Sequence, residues 1–191
     1  SRLQRPMSTA TRPTQQAYNE GLRFRRETAG WNLEQRTEWM LERLRSTVRR
    51  AYEETVFYRE RFDRSNFDVY SDFSFAEFAR LPVLTRAEIH EAGPKLLTSS
   101  VPADQRRKDS TGGSTGAPTE IWLGPNERGW RDSGMERFFE VLGVPEGSRT
   151  ALFWGHHLDP KTTDSLRDRY QAFVTNVRWF DCFRLSPEIL D

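Results

Sequence analysis

Three glycines and four hydroxyl residues fall within nine positions, 110–118, of the run Asp109-Ser110-Thr111-Gly112-Gly113-Ser114-Thr115-Gly116-Ala117-Pro118-Thr119. Glycine tolerates positive φ and lets a backbone approach a ligand closely. Successive N–H groups in such a turn form a concave nest for anions. Ser114 and Thr115 add hydroxyl donors. This chemistry suits phosphate oxygens, and hence a nucleotide; composition alone also fits a plain flexible connection. The run is not a Walker loop, because Ala117 or Pro118 stands where that motif needs its second glycine. No strand followed by G-x-G-x-x-G is read before it, which disfavours a Rossmann dinucleotide site.

Other residues with possible chemistry are fewer. His156, His157 and Asp159 invite a metal reading, but neighbouring strand residues point to opposite faces. No third ligand has suitable spacing, so no metal is expected. Arg106-Arg107-Lys108 reads as an exposed basic turn, able at most to steer an anion toward the glycines. Trp122, Trp130, Phe138, Phe139, Phe153 and Trp154 read as core, because no basic residues interleave with them as a single-strand nucleic-acid platform requires. Cys182 falls in a strand candidate and is expected to be buried and inert.

The elements that must position these residues change character along the chain. Residues 1–30 have weak periodicity and read as a mobile or peripheral segment. Leu33, Thr37, Met40 or Leu41, Leu44, Val48, Ala51 and Thr55 form one stripe, which predicts a long helix. Its other face, including Glu38, Glu42, Arg45 and Arg49, reads as solvated. Ser74-Phe75-Ala76-Glu77 and Thr85-Arg86-Ala87-Glu88 are capping boxes that open two short helices. Leu81-Pro82 separates them and Gly93-Pro94 closes the second. A helical region over 31–100 results.

Beyond residue 100, strands alternate with helices. Glu120-Ile121-Trp122-Leu123 is a strand. Asn126 can cap a helix to about Leu142, stopped by Gly143. The stretch 144–147 is a turn, 149–154 a strand, 164–173 a helix and 174–183 a strand. The fold class is therefore α/β: a helical N-terminal region, then the opening strands and crossover helices of a core over 101–191. Ser186-Pro187-Glu188 announces a helix just before Asp191, as in a fragment.

The 191 residues carry 29 Lys+Arg and 28 Asp+Glu, a net charge of +1. Such balance gives no field to attract nucleic acid or a membrane surface. The single cysteine excludes an intrachain disulfide and fits a reducing, cytoplasmic setting. Of the basic residues 26 are Arg and three are Lys, read as coding bias.

The run Thr111 to Thr119 resembles the phosphate loop of the AMP-forming adenylating enzymes, in which two hydroxyl residues, Gly, a hydroxyl residue, Thr, Gly, a Lys, Arg or Glu, and Pro follow in order. Three further segments are similar to the phenylacetate–CoA ligase and capsular-polysaccharide-biosynthesis branch. They are Arg49-Arg50-Ala51-Tyr52-Glu53-Glu54-Thr55-Val56-Phe57-Tyr58-Arg59-Glu60-Arg61-Phe62, Leu81-Pro82-Val83-Leu84-Thr85-Arg86, and Gly147-Ser148-Arg149-Thr150-Ala151-Leu152-Phe153-Trp154-Gly155. Two departures stand out. Gly112 replaces a commoner hydroxyl residue, and Ala117 stands where Lys is frequent, removing a charge partner for phosphate.

The resemblance implies carboxylate adenylation by ATP with Mg²⁺, followed by thioester formation with coenzyme A. It implies that Thr111, Gly112, Gly113, Ser114, Thr115 and Gly116 hold phosphates and that His156 borders the acyl pocket of a small carboxylic acid substrate. The family's adenine-contacting motifs and lid lysine lie downstream, so these residues alone are expected not to adenylate. The alternative is a non-catalytic scaffold that keeps the adenylating fold. An incomplete sheet would leave an open edge, so a homodimer or swapped assembly is expected.

Overall fold

The computed structural model describes residues 12–110, 119–145, 147–154, 170, 173 and 176–182. Six α-helices and four strands are described: α1 (Arg12–Glu27), α2 (Leu33–Glu54), α3 (Val56–Arg64), α4 (Phe75–Phe78), α5 (Arg86–Ala92), β1 (Arg107–Ser110), β2 (Glu120–Leu123), α6 (Pro125–Val141), β3 (Thr150–Trp154) and β4 (Val177–Asp181). The class is α/β, with helices first and strands later. β1 and β2 pair antiparallel, while β3 and β4 pair parallel. A parallel pair needs a crossover connection. The expected helix over 164–173 lies outside the described residues except for Tyr170 and Phe173, both helical. The helix start at Ser186 lies outside them too.

Local signals explain the helix boundaries. Asn32 accepts from the Gln35 N–H at 2.9 Å and the Gln35 side chain accepts from the Asn32 N–H, a full capping box on α2. Thr55 ends α2 in an extended conformation and its hydroxyl caps α3. Both sequence-read capping boxes form, at Ser74/Glu77 and Thr85/Glu88. Gly93 adopts φ 45 and stops α5, and Gly143 adopts φ 69 just after α6. One cap differs from expectation: Gly124 is the N-cap of α6 and Pro125 its first residue, with Asn126 already inside the helix. Proline supplies the helical φ and needs no hydrogen-bonding N–H there.

The structure departs from the sequence reading over Arg12–Glu27. Instead of a mobile or peripheral segment it has α1, packed in parallel along α6. Two small-residue steps make this possible, Ala17 and Gly21 on α1 against Gly129 and Ser133 on α6. A Cβ placed on Gly129 would lie 2.3 Å from the Thr14 carbonyl oxygen and 2.7 Å from the Tyr18 nitrogen. One on Gly21 would lie 2.4 Å from Ser133 Oγ. Ser133 is 0% exposed and its hydroxyl donates to the Trp130 carbonyl at 2.7 Å. The Thr14 hydroxyl donates to the Pro125 carbonyl at 2.9 Å, and an Arg26–Glu140 ion pair closes the far end. α1 escaped the sequence reading because its buried face is mixed: Thr14, Ala17 and Gly21 share it with Leu22, and Phe24 meets Trp130 of α6.

A second cluster holds the helical region. Val48, Phe62, Val69 and Phe73 are buried together, with Leu44, Tyr58, Phe67 and Phe78 against them. The long stripe on α2 is thus buried only toward its C-terminal half; Leu33 and Met40 are exposed.

Arginines bind the irregular segments to this core. Arg45 donates to the Phe73 and Asp72 carbonyls, and Arg49 to those of Val69 and Tyr70. Neither belongs to a merely solvated face. Arg61 donates to the Pro82 carbonyl and to Glu88 Oε1, each at 2.7 Å. A planar guanidinium can serve two acceptors at once, which a lysine ammonium does less readily.

Gly129→Ala tests the α1–α6 contact. Helix propensity alone would favour alanine by about 0.5–1 kcal/mol. Overpacking against backbone atoms costs about 1–3 kcal/mol and wins here. A lowered melting temperature and faster amide exchange in α1 are expected. Gly134→Ala is the control: its Cβ would meet only the tip of Arg25 at 3.4 Å, so stability should hold or rise.

Acid titration tests the Thr85–Glu88–Arg61 link. The Thr85 N–H, then the Arg61 guanidinium and the Thr85 hydroxyl, hold the Glu88 carboxyl at about 2, below its ordinary 4.5. A depressed carboxyl stabilises fully above the unfolded value and loses that effect as pH falls through the folded one. The stability gap between the native chain and Glu88→Gln should therefore shrink from about pH 4.5 toward 2. A gap independent of pH over that window would contradict the link.

Candidate functional site: the hairpin at the glycine run

The sequence-assigned phosphate residues Thr111, Gly112, Gly113, Ser114, Thr115 and Gly116 lie outside the described residues, as does His156. What the structure describes is the frame on either side. β1 and β2 pair with Arg107 opposite Leu123 and Ser110 opposite Glu120. The glycine run is therefore the connection of a β-hairpin, with its two ends held in register. β1 was not foreseen: Arg107-Lys108-Asp109-Ser110 has neither apolar alternation nor a β-branched residue. The available signal was charge complementarity with β2, since Lys108 pairs with Glu120.

Several contacts fix this hairpin to the helices. The Ser99 N–H donates to the Glu54 carbonyl at 3.0 Å, and the Ser100 hydroxyl donates to Glu54 Oε2 at 2.6 Å. The hydroxyl, with help from Arg50, lowers the Glu54 pKa. Arg106 donates to the Val101 and Thr98 carbonyls, both at 2.8 Å. The segment leading from α5 to β1 is thereby shaped by one arginine. On the other side β2 runs through Gly124 directly into α6, and α6 is locked to α1. The frame reaches from the C-terminal end of α2 to the N-terminal helix.

Electrostatics at the hairpin differ from the sequence reading. Arg106 is committed to carbonyls and Arg107-Lys108 lie in a strand, so the run is not a basic turn. Arg107 lies 3.3 Å from Asp109 and 3.6 Å from Glu127. Glu127 also pairs with Arg131 at 3.3 Å. Arg107 and Lys108, the cations of β1, thus already have carboxylate partners. These pairs are well exposed, so each contributes little to stability.

Two other expectations are corrected. Trp122, Phe138 and Phe153 are exposed rather than core, whereas Trp130 and Phe139 are half-buried. The Trp154 side chain lies outside the description. Trp122 is exposed because β1 and β2 form a two-stranded sheet with no described layer over it. Cys182 follows β4 in a turn and is exposed, not buried. Among the described residues no group of His, Cys, Asp and Glu is arranged to hold a metal. No described helix is long and apolar enough to cross a membrane.

β3 and β4 align Trp154 opposite Asp181. Their carboxyl ends therefore face the same way, with His156 two residues beyond one and Cys182 immediately after the other. The carboxyl ends of parallel strands are the usual place for ligands in open α/β sheets.

The segments carrying the family resemblance occupy connected places. The run 49–62 forms the end of α2 and most of α3. The run 81–86 meets it through the Arg61–Pro82 hydrogen bond. The run 147–155 contains β3, entered through a turn in which Gly147 has φ 79 and the Ser148 N–H donates to the Pro145 carbonyl at 3.1 Å.

No protein-family model matches the sequence, and no curated protein matches it. Solved structures do. One of 2-hydroxyisobutyryl-CoA ligase, in complex with 2-HIB-AMP and CoA in the thioesterification state, matches with TM-score 0.56 at 23% identity, over 82% of this chain and 33% of that one. Another, in the postadenylation state with 2-HIB-AMP, gives 0.55 at 21%, over 78% and 31%. A third, an open conformation with 2-HIB-AMP and CoA, gives 0.55 at 22%, over 81% and 36%. The chain spans about a third of the length of these ligase chains. It shares the adenylate-forming CoA-ligase fold over that part.

Thiol titration checks the corrected cysteine. In the native chain Cys182 should react at once with a colourless-to-yellow disulfide reagent, to about one equivalent per chain. Reaction only after denaturation would restore the buried assignment.

Proposed function

We propose that this chain is the N-terminal part of an ATP-dependent, AMP-forming acyl- or aryl-CoA ligase-like enzyme, of the phenylacetate–CoA ligase type. One observation carries the reading: the adenylating-enzyme signature Thr111 to Thr119 is the connection of the β1–β2 hairpin in a chain with the CoA-ligase fold. Residues 101–191 then form the opening part of the adenylation core, preceded by the helical region 31–100.

In this reading a small carboxylic acid attacks the α-phosphate of ATP, giving an acyl adenylate and pyrophosphate. The thiol of coenzyme A then displaces AMP. The residues present suit the phosphate end of ATP by their donor chemistry. Gly112, Gly113 and Gly116 offer unobstructed backbone N–H groups, and Thr111, Ser114 and Thr115 offer hydroxyls. Mg²⁺ would supply charge to offset the phosphates. The chain's own contribution is positioning: the paired strands hold the two ends of the run together, which lowers the ordering needed when phosphate arrives. His156, beyond the carboxyl end of β3, is the candidate for the acyl side. A cytoplasmic setting and homodimer association through a sheet edge complete the proposal.

A second reading has its own observation. Ala117 takes the place of a frequent lysine, and Arg107 and Lys108 are already paired with carboxylates. A scaffold that keeps the fold without catalysis would have these features.

Two measurements separate the readings. Mg-ATP binding to the purified 191-residue chain, followed by titration calorimetry, tests the run. Gly113→Val should weaken it at least about tenfold by blocking the backbone, and Ala117→Lys should tighten it about three- to tenfold by restoring a cation. Carboxylate-dependent pyrophosphate exchange across a panel of acids then tests catalysis. The full reading frame should exchange with at least one acid and the 191-residue chain with none. Binding without exchange in either form would favour the scaffold, and light scattering on the same samples should show a dimer.

A further inference from the structure

A groove of about 530 Å³ opens between the end of α1, the start of α2 and the C-terminal half of α6, away from the hairpin. Its floor is aromatic: Phe24 stacks on Trp39 with ring centroids 4.9 Å apart, and Trp31 meets Phe24 edge-on at 5.9 Å. Met40, Phe138 and Val141 form its walls, exposed by 54%, 54% and 67%. Gly134 lies in the α6 wall with the Arg25 guanidinium laid against it, 3.4 Å from where a Cβ would stand.

Two features specify an occupant. The first is charge. Arg25, Arg36 and Arg137 line the groove and no carboxylate does. Arg25 donates to Ser133 Oγ and the Trp130 carbonyl, and Arg36 to the Trp31 and Ala29 carbonyls. Those neutral acceptors fix the guanidinium groups without neutralising them, whereas Arg137 is paired with Glu140. The second is periodicity. The α2 stripe that buries Leu44 and Val48 continues through Met40 to Leu33, with nothing described over it. Phe138 and Val141 face it from α6 at helical spacing. A groove walled by helical ridges accepts a further helix, by the same ridge-and-groove packing that joins the helices beneath.

We infer that this groove is a docking site for an amphipathic acidic helix of a partner protein. Apolar residues of the partner helix at i, i+3 or i+4, and i+7 would pack on the aromatic floor between Met40, Phe138 and Val141. Its flanking carboxylates would meet Arg25 and Arg36. Long-range attraction would raise the association rate and fall with salt. The inference is independent of nucleotide chemistry.

The test uses the 191-residue chain and a fluorescein-labelled, 16-residue helical peptide with leucines on one stripe flanked by glutamates. A matched peptide carries lysine at every glutamate. Anisotropy should show saturable binding of the acidic peptide, at least tenfold tighter than the basic one and weakened by added salt. Val141→Asp and Met40→Glu, both at exposed positions, should each weaken it at least tenfold while circular dichroism and melting temperature stay native. Equal affinity for the two peptides, or binding untouched by both substitutions, would overturn the inference. So would a dimer in light scattering that Val141→Asp dissociates, because the occupant would then be a second copy of this chain.

Discussion

Backbone-to-backbone closeness between α1 and α6 is the constraint on which the hairpin's placement depends. Gly129 lies where any side chain would strike the Thr14 carbonyl, and Gly21 where one would strike Ser133. Contact at this range is short-sighted: it works only when both helices present small residues in register. Dispersion between closely apposed backbones is individually weak and collectively large. Because α6 follows β2 after a single glycine, whatever positions α6 also positions the strand that leaves the glycine run. α1 thus supports the strand that leaves the glycine run.

A different force shapes the connections. Much of the chain between α3 and β1 has no regular structure, and its carbonyls need donors. Arginines supply them, Arg45, Arg49 and Arg106 serving two carbonyls each and Arg61 one. The excess of arginine over lysine therefore has a structural use, whatever its origin in coding. The Arg61 fork is the most consequential, since it joins α3 to the 81–88 segment through both a carbonyl and the capping glutamate of α5.

Legibility in the sequence followed the range of the interaction. Capping boxes are local, so Ser74/Glu77 and Thr85/Glu88 were readable to the residue. The α2 stripe was readable as a helix but not in its burial, because burial depends on neighbours far along the chain. α1 and β1 were invisible for related reasons. One mixes small and polar residues with a few large apolar ones in its buried face, and the other is a polar strand defined by its partner. The glycine run was legible by chemistry and resemblance, and its flanks became interpretable only when the hairpin register appeared. Cys182 and Trp122 were misplaced by one habit of reading: residues in apolar company were assigned to a core, although a two-stranded sheet or a strand end need not be covered.

The parallel pairing of α1 with α6 also bears on the order of events during synthesis. Thr14 bonds to a carbonyl 111 residues later in the chain. A ribosome adding about 5–20 residues per second leaves α1 without its partner for roughly 5–20 s. Isolated helices of this length are marginal in water. The nascent N-terminus must therefore stay soluble as a largely unpaired segment, and its mean hydropathy suits that: Arg12–Glu27 reads RPTQQAYNEGLRFRRE. A helix whose narrow buried face is surrounded by this many charged and polar residues can wait in water without aggregating.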